Sequence, residues 1–105
     1  MELSAMKLAL HIDWDEEDSL ITGFMKTAEM MIKSGIGDDA KFYDDSRYCD
    51  AYNTALIMLT DHLNKTRSAT TELNLHEVPL GVQTIMLKLK PAYRLYERGE
   101  QDESN

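Results

Sequence analysis

Apolar residues recur at steps of three and four along nearly the whole chain, and only two prolines and five glycines interrupt them. That spacing is the helical one, and strand-like alternation is confined to a single stretch. A 105-residue chain patterned this way points to one small all-α domain, a bundle of about four helices. A chain of this size buries only about 60–70% of its unfolded surface, so it builds one core.

Four helices are expected. The first runs from Ala5 to His11, with Ser4 as its cap and Met6, Ala9 and Leu10 on one face. Ile12 and Trp14 follow as the chain turns. The second runs from Glu16 to Ser34, capped by Asp15. Acids in its first turn suit the positive end of the helix dipole. Leu20, Ile21, Phe24, Met25, Ala28, Met31 and Ile32 form its apolar stripe, and Lys33 and Gly35 mark its end. A turn-rich segment from Gly35 to Asp45 follows, with Phe42 and Tyr43 as anchors to the core. The third and strongest helix spans Ser46 to Thr66. It carries Tyr48, Ala51, Tyr52, Ala55, Leu56, Leu59, His62 and Leu63 in register, and should be central.

From Arg67 to Val78 the periodicity breaks, and ATTELNLHEV reads as one long irregular or β-like arm between the last two helices. The fourth helix begins near Pro79 and buries Val82, Ile85, Met86 and Leu89. Pro91 is expected to end or kink it, because its ring clashes with the preceding turn. A short turn through Tyr93 to Tyr96 would follow. The layout is a single helical domain over residues 1–96 and a mobile acidic tail over 97–105.

Charge narrows the function. Eleven cations against nineteen anions give a formal net charge of −8, whereas duplex DNA is gripped by a basic face. Lys88, Lys90, Arg94 and Arg98 do cluster, so a small helical DNA-binding or regulatory protein is the alternative reading. No apolar run approaches the roughly 20 residues of a membrane span. The opening MELSAMKLAL does not read as a signal peptide, so an intracellular protein is expected.

Motifs for catalysis and for metals are weak. The run from Asp13 to Asp18 has five acids in six positions, but an EF-hand counted from Asp13 needs Gly where Asp18 stands and Glu where Phe24 stands. A capped helix start explains it better. Asp38, Asp39, Asp44 and Asp45 match no cation motif and read as a solvated loop. His11, His62 and His76 lie on separate elements, and His62 reads as a half-buried core histidine. The single cysteine, Cys49, excludes a disulfide framework and has no enzyme signature around it. Phosphate-cradling and hydrolase motifs are missing. No enzyme, cofactor or metal is expected. Met30 and Met58 fall off the main stripes and are candidates for a protein contact.

Three stretches together resemble a known family. HIDWDEEDSLITGFMKTAEMMI (11–32) carries Ile-Asp, an acidic cluster, Leu-Ile and Ala-Glu in the order found at the start of tailed-phage head–tail connector (adaptor) proteins of the HK97 type. ALIMLTDHLNKTR (55–67) resembles that family's long helix, and EVPLGVQTIMLKLKPAYR (77–94) its closing Pro-x-Gly-Val helix. The resemblance covers about residues 3–96. The chain departs from it at Asn64, where an aromatic is common, in lacking a Pro before the central helix, and in the LKLK extension before Pro91.

The resemblance implies a structural virion protein at the head–tail junction, made in the bacterial host's cytoplasm. It implies a homo-oligomeric ring of about twelve subunits below the portal protein. Such a ring extends the DNA channel and docks neck or tail-completion proteins, while DNA passes without specific binding and no membrane is involved. By analogy the subunit or portal contacts fall on the arm (Arg67, Thr71, Leu73, Leu75), on the last helix (Lys88, Lys90, Arg94) and on Tyr96.

Overall fold

The computed structural model describes residues 1–66 and 78–103. Among them are five helices and no strand: α1 (Leu3–Ala9), α2 (Asp18–Ile36), α3 (Ala40–Asp44), α4 (Cys49–Thr66) and α5 (Leu80–Glu103). The all-α expectation holds, with a fifth helix added. The arm expected over Arg67–Val78 lies outside the described residues apart from Val78.

Helix α1 starts two residues early, so Ser4 lies inside it and does not cap it. It ends in a Schellman motif, with Ile12 N–H donating to Lys7 C=O at 2.9 Å and His11 N–H to Leu8 C=O at 3.2 Å. That motif puts His11 at φ 59°, the left-handed region that glycine usually fills. Asp15 does not cap α2. It pairs instead with Lys7 (2.6 Å), which also reaches Asp18 (2.8 Å), and this double contact ties α1 to the start of α2.

The segment read as a turn holds α3, whose cap is the Asp39 side chain accepting the Lys41 N–H at 3.0 Å. Its two anchors are as expected: Phe42 is fully buried and Tyr43 nearly so. Phe42 stacks on Tyr48 with ring centroids 4.5 Å apart and meets Tyr43, Tyr93 and Tyr96 edge-on. Full burial of a side chain this large contributes about 1.5–3 kcal/mol, so α3 acts as a plug across the end of the bundle. Helix α4 begins at Cys49 and not at Ser46, because Asp45 holds the intervening turn. Its backbone carbonyl accepts the N–H groups of Tyr48 and Cys49, both at 2.9 Å. Its carboxylate accepts the Arg47 N–H at 2.9 Å.

As expected, α4 is central, packing against α2, α3 and α5. Lys33 near the end of α2 lies over the ring of Tyr52 near the start of α4, so these two helices are antiparallel. Helices α4 and α5 are antiparallel as well: Met58 meets Gly81, while Tyr48 and Tyr96 both meet Phe42 at the other end. Leu20, expected on the α2 stripe, is 42% exposed.

Pro91 does not end the last helix. Helix α5 runs through it and through Tyr93–Tyr96 to Glu103. Val82, Leu89 and Tyr93 face the core, and Pro91 stands on the exposed side. There the Leu87 carbonyl, which Pro91 leaves without a helical donor, can be hydrated, so the helix tolerates the proline on that side.

Candidate assembly surface

Clefts beside α2 and an outward helix face stand out among the described residues. The first cleft, of about 470 Å³, lies among α2, α3 and α4 and is lined by Met25, Glu29, Lys33, Tyr43, Cys49 and Tyr52, among others. Lys33 pairs with Glu29 at 2.5 Å and lies 5.2 Å from the Tyr43 ring centre. Burial pushes the Tyr52 hydroxyl up to about 12, with the Glu29 charge adding to it, and burial pushes Tyr43 up further. These groups are neutral phenols and a closed ion pair. Cys49 is half-buried with Sγ 3.8 Å from the Asp50 carboxylate. His62 lies thirteen residues further along α4, roughly 20 Å away, too far to serve as its base.

Cation sites fare no better. Among the described residues no three His, Cys, Asp or Glu side chains gather where they could hold a metal ion. Asp39 is spent on capping α3, and Asp45 is held low by its hydrogen bond from the Arg47 side chain.

The second cleft is an open groove of about 610 Å³ between α1 and the start of α2. Leu3, Leu8 and Ile12 supply its apolar lining, and Asp13, Asp15 and Asp18 its charge. The two contacts to Asp15 and then Asp18 raise the pKa of Lys7, so it stays charged across the groove. Leu8 is 79% exposed and Trp14 47%. The Trp14 ring nitrogen donates to Glu17 at 3.5 Å.

The outward face belongs to α5. Leu80, Thr84, Leu87, Pro91 and Leu95 follow one another at steps of four, three, four and four, directly opposite Val82, Leu89 and Tyr93. Leu80, Leu87 and Leu95 are 77%, 70% and 64% exposed. Lys88, Lys90, Arg94 and Arg98 stand exposed around them.

Of the contact residues expected from sequence, Lys88, Lys90 and Arg94 come together on this face. Tyr96 is half-buried, its ring 5.5 Å from that of Phe42, so much of it belongs to the core. Arg67, Thr71, Leu73 and Leu75 lie outside the described residues. The leucine stripe is hard to see in the sequence because it lies opposite the core-facing pattern of the same helix and continues past Pro91 to Leu95. Met30 and Met58 are 65% and 36% exposed, as their positions off the stripes suggested, and the end of the Met58 side chain also lies against Gly81.

No described helix is long and apolar enough to cross a membrane. Comparison of the sequence with family models matches residues 1–90 to the phage gp6-like head-tail connector proteins. The chain belongs to that family, a family of structural virion proteins and not of enzymes. Neither the curated proteins nor the solved structures compared gave a match. Membership makes the chain a component of the phage particle with a connecting role between portal and tail components.

Proposed function

We propose that the chain forms a ring of about twelve subunits below the portal, extends the DNA channel and docks the neck or tail-completion component. The observation that carries this reading is the family match over residues 1–90. The net charge of −8 supports the channel role, because an acidic ring leaves the phosphate backbone free to slide where a basic lumen would hold it. In this reading Lys88, Lys90 and Arg94 belong to contacts between proteins. Arg67, Thr71, Leu73 and Leu75 belong to those contacts as well.

Gold-labelled antibody against the chain tests the assignment on intact virions. Label at one vertex, between head and tail, is the expected result. Label spread over the capsid, or missing from virions while the chain is abundant in infected cells, contradicts it.

A further inference from the structure

We propose that the outer face of α5 on one copy seats in the groove between α1 and α2 on a second copy, so that one contact repeated head to tail builds the assembly. The proposal rests on the ring reading above and gives the ring its surfaces.

The first argument is the α5 face itself. A single exposed leucine needs no explanation, but Leu80, Leu87 and Leu95 stand in register on the side away from the core, all more than 60% exposed. The helix presents them as a convex ridge. The groove is its concave counterpart, with Leu3, Leu8 and Ile12 in its lining and about 610 Å³ of open space.

Charge gives the second. Residues 88–98 carry four cations and one anion, while residues 1–66 carry six cations and thirteen anions. Lys88 and Arg94 therefore flank the ridge with positive charge. The groove presents Asp13, Asp15 and Asp18 against the single cation Lys7. A like-charged pairing of ridge to ridge or groove to groove would cost what this pairing gains.

The third is placement. Gly35 meets Met86 and Gly37 meets Tyr93, so the second half of α5 lies at the C-terminal end of α2. The groove lies at its N-terminal end, roughly 28 Å away along nineteen residues. A continuous helix cannot fold back over that distance to its own groove. A second copy can supply the ridge, and a contact between two different surfaces is the heterologous kind that closes rings.

The test uses the full chain, alone and with the portal protein of the same phage. A Leu8→Cys/Leu87→Cys variant, carrying Cys49→Ser, should give a ladder of covalent multimers on oxidation. K88E/R94E should weaken assembly about a hundredfold, and adding D13K to the same chain should restore part of it. All three charge sites are exposed, and unchanged helical circular dichroism checks that the variants fold. Rings that form normally from K88E/R94E with no ladder would overturn these surfaces and leave the connector reading standing. K88E/R94E that self-assembles but fails to bind the portal would hand the α5 face to the portal and overturn the proposal. A chain that stays monomeric at every concentration and on the portal would overturn both the proposal and the ring.

Discussion

The Tyr93 hydroxyl accepts the backbone N–H of Asp39 at 3.0 Å, and the Tyr93 ring covers the spot where a side chain on Gly37 would stand. Fifty-four residues separate this donor and acceptor. Gly37 adopts φ 156°, and its carbonyl accepts the Tyr43 hydroxyl. The end of α2, the cap of α3 and the middle of α5 thus share one joint. Tyr93→Phe removes one hydrogen bond and should cost about 1 kcal/mol. Gly37→Ala meets both the left-handed backbone and the ring, and should cost about 2–3 kcal/mol. Urea denaturation measures both, and a Gly37→Ala protein as stable as the parent would show that the joint does not hold the bundle.

His11 closes α1 in a conformation that costs an L-residue roughly 1–2 kcal/mol. Its side chain is exposed. His11→Gly should therefore stabilise the protein by about 0.5–1 kcal/mol, less than the full relief because glycine loses more entropy on folding. A raised denaturation midpoint with unchanged slope is the expected result.

The hydroxyl of Thr60 is buried on α4 and has no hydrogen-bond partner among the described residues. Thr60→Val keeps the shape and removes a group that lost its hydration on folding. It should raise stability by about 1 kcal/mol. Destabilisation in thermal melts would mean that the hydroxyl is satisfied in solution.

Alkaline pH should unfold the protein through two tyrosines. Burial raises Tyr52 to about 12 and Tyr43 in the same direction, while the unfolded chain ionises both near 10. Their contribution is complete below pH about 10 and is lost as pH rises toward 12, because only the unfolded state releases those protons in that window. Phenolate absorbance followed with circular dichroism should show late ionisation coinciding with loss of helix. Full ionisation of all five tyrosines near pH 10 with the helices intact would contradict it.

Much of this architecture was legible in the sequence because a 3.6-residue period carries its own geometry. The stripe from Tyr52 to Leu63 marks α4, and the isolated pair Phe42–Tyr43 in a polar segment marks an anchor. Helix ends were less legible. Asp15 and Ser4 have the right chemistry for caps, but Asp15 is drawn to Lys7 by a tertiary contact that sequence spacing does not reveal. Pro91 reads as a stop until one knows which way it faces: on the solvent side its cost is a carbonyl that water can hydrate. The same misreading hides the exposed leucine stripe of α5, since Leu95 lies beyond the proline. The connector family was legible in three ordered motifs.

Light scattering across concentration, with the chain alone and then mixed with the portal protein of the same phage, tests the central claim most directly. A connector should reach a ring-sized mass by itself or shift into a complex carrying many copies per portal assembly. A monomer or dimer that keeps its mass in the presence of the portal and instead binds labelled DNA in a salt-dependent way would contradict the account.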